Sequence, residues 1–409
     1  MNRLSNFPSL TRRQLLRQGS AALLGLGVSG RLYAAPAAGP RLLVVFLRGG
    51  YDSCNVLVPY SSSFYYEVRP NIAIAAPDPN LPSGALALNA DWALHPALRE
   101  SIGNLYSQRQ AAFIPFTGTD DLSRSHFETQ DSIEMGQPPK APPSYQSGFL
   151  GRLSTTLVSA SVDAPPIAFT DAMPLSFEGA ATVPNLSLKN AAKAPFDERQ
   201  MRLLNDMYKG NHLQTAVGSG LELRQVVAQD LATEMQAANR AAINTKGFEL
   251  EAERMGRLMR DKYRIGFIDV GGWDTHVGEG SAQGPLATNL TNLGRGLQVF
   301  SESLDSEWQN TVVVVLSEFG RTFRENGNRG TDHGHGTVYW VLGGAINGGV
   351  IAGEQKVMNR QNLFQDRDYP VLNDYRAVLG GLFQRMWGLS ASQSGQVFPQ
   401  VAPVSLGLA

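Results

Sequence analysis

Short runs of apolar residues alternate along the chain with longer stretches of mixed polarity. The first run, Leu42–Leu47, reads LLVVFL and ends shortly before two glycines, which is typical of a strand buried inside a sheet. Strands that are apolar throughout need cover on both faces. The pattern therefore predicts an α/β fold, a doubly wound and mainly parallel sheet with helices on both faces. Comparable runs occur at Ala111–Phe116, Ile167–Thr170, Ile265–Val270, Thr311–Leu316 and Val338–Leu342.

Amphipathic spacing between these runs predicts the helices that would cover the sheet. Residues 137–197 are instead rich in proline, alanine and serine, which predicts loops or a small cap inserted over the sheet. No internal repeat is present, so residues 36–409 are expected to form a single domain. The helices are expected at Pro96–Gln108, Ser125–Met135, Phe196–Met207, Leu221–Tyr263, Pro285–Glu307 and Tyr375–Met386.

The first 35 residues differ in composition from the rest of the chain. They contain five arginines and no acidic residue, and Arg12-Arg13 precede the apolar run Ala21–Val28 and small residues near Ala35. This order predicts a twin-arginine signal peptide, and hence export to the periplasm by the twin-arginine translocon. The alternative is an amphipathic N-terminal helix of the mature fold. The run is shorter than the roughly 20 residues of a membrane span, so no integral membrane protein is expected.

The overall composition excludes several classes of protein. The 409 residues carry 35 basic and 36 acidic side chains, a formal net charge of −1, so no nucleic-acid partner is expected. A hydrophobic content of 43% supports a large core and argues against disorder. The single cysteine, Cys54, excludes an intramolecular disulfide and is expected to be a small buried residue rather than a nucleophile.

Acidic and histidine side chains follow the ends of several predicted strands. The carboxyl ends of parallel strands meet at one edge of the sheet, where ligands bind in such folds. Imidazole and carboxylate ligands together suit zinc, manganese or iron better than calcium. We therefore expect a divalent-metal site with one or two ions, although each segment alone could also be a hydrogen-bonded turn. The candidate metal ligands are Asp52, Asp274, His276, Glu318, Asp332, His333 and His335.

Ser125 and Arg321 are the candidate catalytic residues outside this ligand set. Ser125 opens a predicted helix, where the partial positive charge of the N-terminus would favour an attacking oxygen. The alternative is a helix cap, with Glu128 completing a capping box. Arg321 and Arg48 are candidates for holding an anionic substrate, because a guanidinium matches phosphate or sulfate oxygens. Either arginine could equally be structural.

Five motifs together resemble the exported bacterial family labelled domain of unknown function 1501. They are RGGYDSCNVLVPY at 48–60, RSHFETQ at 124–130, GGWDTH at 271–276, SEFGRT at 317–322 and NGNRGTDHGHG at 326–336. That family is similar in fold to the alkaline phosphatase and sulfatase superfamily. The resemblance implies an alkaline phosphatase-like, doubly wound α/β fold with a divalent-metal site.

The resemblance also implies roles for individual residues. Asp52 resembles the first-strand aspartate that binds one metal, and Asp274 and His276 resemble ligands of the second. His333 or His335 resembles the late histidine, and Ser125 falls roughly where the nucleophile is expected. Glu318 falls at the aspartate of an Asp-His pair, whereas Phe319 replaces its histidine, which leaves one intact metal position as the safer expectation.

These observations predict an exported metal-dependent hydrolase of phosphate or sulfate esters. Its substrate would be an anionic small-molecule or polysaccharide ester. One alternative is a non-catalytic periplasmic binding or assembly protein that keeps the fold. Another is a metal-free serine esterase, although no Gly-X-Ser-X-Gly elbow is present.

Overall fold

We describe a computed structural model of the chain. It describes residues 39–138, 141–180, 182–187, 203, 206–211, 214 and 248–409. Three predicted segments lie wholly or mostly outside the described residues. They are the signal peptide, most of the helix Phe196–Met207, and the helix from Leu221 as far as residue 247. The described residues from Pro40 onward belong to one compact unit.

The strands of the described chain agree with the apolar runs in the sequence. All the predicted strands are present, with bounds that differ by at most two residues at either end. Several two-residue strands add to them. The strands are β1 (Arg41–Leu47), β2 (Leu57–Val58), β3 (Leu86–Ala87), β4 (Ala93–Leu94), β5 (Ala111–Gly118), β6 (Pro166–Ala168), β7 (Ile265–Val270), β8 (Thr311–Ser317), β9 (Thr337–Leu342), β10 (Val350–Ile351) and β11 (Asn373–Asp374).

The main sheet has the strand order β10-β5-β9-β8-β1-β7-β6, and β11 also pairs with β5. The central strand β1 is parallel to both β7 and β8, with Leu47 opposite Val270 and Ser317. Only β9 among these strands runs antiparallel to its neighbours. The prediction of a mainly parallel sheet is therefore confirmed. A small antiparallel sheet, β2-β4-β3, lies outside it.

The α-helices are only partly those predicted. The predicted helices Ser125–Met135, Pro285–Glu307 and Tyr375–Met386 are confirmed, whereas Pro96–Gln108 divides into a 3₁₀ turn, a π turn and a short α-helix. The α-helices are α1 (Ser53–Val56), α2 (Ser63–Val68), α3 (Asn104–Ser107), α4 (His126–Met135), α5 (Phe149–Ser159), α6 (Phe248–Asp261), α7 (Pro285–Leu304), α8 (Tyr375–Trp387) and α9 (Ala391–Val397).

Helix α5 lies within residues 137–197, where the sequence predicts loops or a small cap over the sheet. Its apolar residues Phe149, Leu150, Leu153 and Leu157 recur at helical spacing and are all buried. They belong to the core on one face of the main sheet. The proline- and serine-rich composition on either side of α5 concealed this short amphipathic helix.

Side chains of β1 alternate between two hydrophobic cores, because successive residues of a strand face opposite sides of the sheet. Leu43, Val45 and Leu47 pack in the core that contains residues of α6 and α7. Leu42, Val44 and Phe46 pack in the core that contains residues of α5, α8 and α9. Full burial of each such side chain stabilises the fold by about 1.5–3 kcal/mol. The doubly wound arrangement is therefore confirmed.

Two smaller expectations concern Cys54 and the membrane. Cys54 is buried, and burial raises the pKa of its thiol to about 12, so it is a core residue and a poor nucleophile. Among the described helices, none has the length and apolar character needed to cross a bilayer.

Candidate metal centre

The ends of three parallel strands bring their following loops into contact. Because β1, β7 and β8 end in register, the segments after Leu47, Val270 and Ser317 start side by side. Gly49 and Gly50 make the contact possible. Both have positive φ, and a Cβ on Gly50 would lie 2.4 Å from the ring of Phe319. The antiparallel strand β9 begins at the same edge, so the segment before Thr337 joins the group.

Three histidines point their Nε2 atoms toward Asp274. The Oδ1 atom of Asp274 lies 2.9 Å from His276 Nε2 and 3.3 Å from His333 Nε2. Its Oδ2 atom lies 3.6 Å from His126 Nε2. The Nε2 atoms of His276 and His333 are themselves 3.1 Å apart. Four potential metal-binding side chains from three separate segments thus meet at one point.

An oxygen acceptor holds the other ring nitrogen of each histidine. His126 Nδ1 lies 2.8 Å from Glu318 Oε1, and His276 Nδ1 lies 3.3 Å from Asp332 Oδ1. His333 Nδ1 lies 3.0 Å from the backbone oxygen of Arg124. A neutral imidazole that donates through Nδ1 keeps its lone pair on Nε2. The acceptors therefore turn all three lone pairs toward Asp274, as the outer partners of metal-binding histidines do.

The donor set fits a divalent transition metal. The ligand atoms of His126, Asp274 and His333 all lie within 4.8 Å of one another. His126 Nε2 is buried and has no hydrogen-bond partner, an arrangement that costs about 1–3 kcal/mol unless something binds there. The side chains of His126, Asp274 and His333 are 24%, 46% and 26% exposed, so the site is open to solvent. Nitrogen and carboxylate ligands of this kind suit zinc, manganese or iron.

Glu318, a predicted metal ligand, lies behind His126 and has its carboxylate engaged by neighbouring donors. Its Oε1 atom accepts hydrogen bonds from Gly49 N, His126 Nδ1 and Gln130 Nε2, each at 2.8 Å. Its Oε2 atom accepts from the Ser317 hydroxyl at 2.9 Å. Burial raises the pKa of Glu318, but the hydrogen bonds from His126 and Gln130 outweigh it and lower that pKa overall. The hydrogen bond with Glu318 in turn raises the pKa of His126.

Arg321 and Arg48 are engaged in contacts inside the protein, as the structural alternative for both arginines expects. The Arg321 side chain is completely buried and donates to the backbone oxygens of Gly49 and Gly50 and to the carboxylate of Asp274. Burial raises the pKa of Asp274, but the hydrogen bond and charge of Arg321 lower it overall. Arg48 donates to the side chains of Asp269, Gln130 and Glu134 at 2.8–2.9 Å.

Asp52 does not join the histidine cluster. Both of its oxygens are paired with Arg69, and both side chains are completely buried. Glu279, which the sequence analysis did not single out, lies fully buried beside them and accepts hydrogen bonds from the hydroxyls of Thr275 at 2.9 Å and Thr331 at 3.0 Å. Burial, and then the charge of Asp52, raise the pKa of Glu279 well above its usual range.

The remaining predicted residues lie around the cluster rather than in it. His335 packs against Phe364 at a ring distance of 4.9 Å, and burial lowers its pKa to about 4. Ser125 is the N-cap of α4, and its hydroxyl accepts the Glu128 N–H at 3.5 Å. Asp332 faces His276 Nδ1 and so orients that ring from outside the cluster.

Phe319 and His126 change the interpretation of the resemblance. The Phe319 ring lies 5.0 Å from the His126 ring and 5.1 Å from the His333 ring, so it packs against both. His126 thus contributes a ring nitrogen beside the position where an Asp-His pair was expected. The sequence signal for His126 was its place in RSHFETQ, one residue after Ser125.

The sequence matches a family model described as "Protein of unknown function (DUF1501)" over residues 40–401, so the chain belongs to this family. No curated protein matches it. Similar solved structures include an alkaline phosphatase superfamily protein from Vibrio parahaemolyticus, with 13% identity, a TM-score of 0.32 and coverage of 75% of this chain and 60% of that one. The lipoteichoic acid synthase LtaP from Listeria monocytogenes has 9% identity and a TM-score of 0.37, with coverage of 93% and 78%. A 2-O GAG sulfatase has 10% identity and a TM-score of 0.35, with coverage of 90% and 73%.

Proposed function

We propose that the chain is an exported, metal-dependent hydrolase of phosphate or sulfate esters. The observation that carries the proposal is the convergence of three histidine Nε2 atoms on Asp274 at a solvent-accessible edge of the sheet. Each histidine has its other nitrogen anchored, so the cluster is arranged before any ligand arrives.

In this proposal His126, Asp274 and His333 hold a divalent metal ion, with His276 completing the site. When bound, such an ion polarises ester oxygens and lowers the pKa of a bound water. Arg321 holds the Asp274 carboxylate in place from the protein side. The ring of Phe319 packs against the His126 and His333 rings and so restricts their movement. The hydroxyl of Ser125 is engaged as a helix cap, so water rather than Ser125 would attack the ester.

Export is part of the same proposal. Arg12-Arg13 and the apolar run that follows them support passage through the twin-arginine translocon to the periplasm. Replacing both arginines with lysine should leave the full-length precursor in the cytoplasm, as fractionation and immunoblotting would show. Normal appearance of a shortened protein in the periplasm would contradict this route.

A second candidate function is that of a periplasmic binding or assembly protein. The observation that favours it is the engagement of Ser125, Arg48 and Arg321 in internal contacts, which leaves the predicted nucleophile and anion clamp occupied. Such a protein would keep the metal ligands and bind an anionic polysaccharide or another exported protein without turnover.

Metal content and ester turnover, measured together, separate these functions. The protein would be purified without chelator, and elemental analysis combined with a panel of phosphate and sulfate monoesters. A hydrolase should hold metal and show turnover, with both lost in His126→Ala and His333→Ala and both kept in Ser125→Ala. Metal without turnover would favour the binding protein. Absence of metal from the wild type would contradict both versions of the site.

A further inference from the structure

The loop before Pro370 lies directly beside the metal centre through backbone hydrogen bonds. Arg367 O accepts the N–H of Phe323 at 3.0 Å, while Asp332 O accepts the N–H of Thr322 at 2.9 Å. The Thr322 hydroxyl in turn accepts the Asp332 N–H at 3.1 Å. Arg367 and Asp332 therefore bond to two adjacent residues, and Asp332 contacts His276 of the cluster.

A buried carboxylate in this loop is shared by two guanidinium groups. Asp368 is completely buried, and its Oδ2 atom accepts from Arg124 Nη2 at 2.7 Å and from Arg124 Nε at 3.1 Å. The same oxygen accepts from Arg367 Nη1 at 3.3 Å. Two positive charges thus meet one negative charge at this point.

Both arginines are tied to the histidine cluster. The backbone oxygen of Arg124 faces His333 Nδ1, and Arg124 is held there in a left-handed conformation with φ near 52°. The Arg367 side chain reaches the same oxygen of Asp368 as the Arg124 side chain, so the Arg367 guanidinium lies beside the residue whose backbone contacts His333.

Arg367 differs from the buried arginines of the site in its exposure and its contacts. Its side chain is 37% exposed, and within the described chain its side-chain hydrogen bonding consists of the long contact with Asp368. Arg321 and Arg48, in contrast, are engaged by several internal acceptors each. Most N–H groups of Arg367 are thus available to a ligand.

We propose that Arg367, steadied by Asp368 and accompanied by Arg124, forms an anion-binding subsite for the phosphate or sulfate group of the substrate. A guanidinium donates two parallel hydrogen bonds to such oxyanions, which a single ammonium charge does not reproduce. The subsite rests on the proposed function, because it positions the ester beside the metal ligands. It supplies the anion clamp that Arg48 and Arg321 do not provide.

Calorimetric titration with inorganic phosphate and, separately, inorganic sulfate tests this subsite. The variant is Arg367→Gln, and the matched control is Arg360→Gln, an exposed arginine earlier in the same region. We expect Arg367→Gln to weaken binding of at least one anion about tenfold or more, and Arg360→Gln to leave it unchanged. The two titrations show which oxyanion the subsite prefers. Equal affinity in Arg367→Gln and wild type, or no binding of either anion by the wild type, would overturn the proposal.

Metal analysis of the same samples separates this proposal from the proposed function. Metal content should be unchanged in Arg367→Gln, because the residue is not a ligand. If anion binding depends on Arg367 but no ester is hydrolysed, the subsite is supported and the proposed hydrolase function is contradicted. If Arg367→Gln does not fold, Arg367→Lys decides the matter: loss of the guanidinium fork should weaken binding severalfold, and wild-type affinity would overturn the subsite.

Discussion

Glu318 fixes the orientation of His126 through a hydrogen bond of 2.8 Å between Oε1 and Nδ1. This contact leaves His126 Nε2 facing Asp274 without a hydrogen-bond partner. The carboxylate is completely buried, yet its hydrogen bonds outweigh burial and lower its pKa, so it accepts the Nδ1 proton and selects the tautomer. The hydrogen bond between Glu318 and His126 therefore leads to the most specific prediction for this site.

Replacing Glu318 with Gln should weaken metal binding while the fold is kept. The amide preserves the shape of the side chain but removes the negative charge behind His126, and loss of such an outer partner costs about 10–100-fold in metal affinity. Competition with a chelator would measure the change. Glu354→Gln is the control, because Glu354 is exposed. Equal affinity of Glu318→Gln and wild type would show that the contact does not orient a ligand.

Replacing Glu279 with Ala and with Gln should show how much its buried acceptor oxygen contributes to stability. Glu279→Ala leaves the hydroxyls of Thr275 and Thr331 without their buried acceptor and should lower the free energy of unfolding by about 2–4 kcal/mol. Glu279→Gln keeps an acceptor oxygen and should be far less damaging. Denaturant unfolding of both variants at pH 5 would measure the difference, and equal losses would contradict this account.

Comparing Glu279→Gln with wild type should also reveal how the free energy of unfolding depends on pH. The pKa of Glu279 is raised in the fold by burial and by Asp52, so the neutral form is favoured there. In the unfolded chain Glu279 ionises near pH 4.5. The stability that its neutral form contributes to the fold is therefore lost as the pH rises above that value. Glu279→Gln does not titrate, so its stability relative to wild type should increase between pH 5 and pH 8. A constant difference would show that Glu279 is ionised in the fold.

His95 predicts a loss of stability in acid. Its Nδ1 atom accepts the Ala97 N–H at 3.0 Å, which leaves Nε2 to donate to Ser281 O at 3.1 Å. Burial lowers the pKa of His95 to about 4, below the value near 6.5 in the unfolded chain. The unfolded state therefore takes up the proton first, and stability falls as pH decreases through this window.

His95→Asn tests this argument because the amide oxygen can still accept the Ala97 N–H. Between pH 7 and pH 4.5 the wild type should lose about 2 kcal/mol more unfolding free energy than the variant. Chemical denaturation at both pH values would measure the two losses. Parallel losses would place the acid sensitivity elsewhere in the protein.

Gly50→Ala tests the close packing of the strand-end loops. Gly50 has φ near 61°, and an added Cβ would lie 2.4 Å from the Phe319 ring, so we expect a loss of about 2–4 kcal/mol. Gly395→Ala is the matched control, because Gly395 lies in α9 with nothing within 4 Å of the added atom. That change should be neutral or stabilising by up to about 1 kcal/mol. Thermal unfolding of both variants would compare them.

The sheet and the edge that carries the site could be predicted from the sequence. Continuous apolar runs such as Leu42–Leu47 encode buried strands locally, and the register of parallel strands then brings their following loops together. The convergence of Asp274, His276 and His333 follows from this geometry. Their convergence could be predicted without knowing which side chains distant in the sequence contact them.

The inward or outward direction of individual side chains could not be predicted. Asp52 and Arg321 follow strand ends as a ligand and a clamp would, but each has a partner distant in the sequence that only the fold brings close. His126 is a ligand candidate because Glu318 lies 192 residues away in the chain and directly behind its ring. Glu279 lies in a polar turn with no strand-end pattern, so its burial was equally hidden.

A crystal structure of the protein, purified without chelator, would test the proposed metal site most directly if it included anomalous data and an X-ray fluorescence scan. The account predicts an anomalous peak from a divalent transition metal within coordination distance of His126 Nε2, Asp274 and His333 Nε2. A well-ordered site in which those nitrogens are hydrogen-bonded to water or to one another, with no metal after zinc, manganese and iron are supplied, would contradict it.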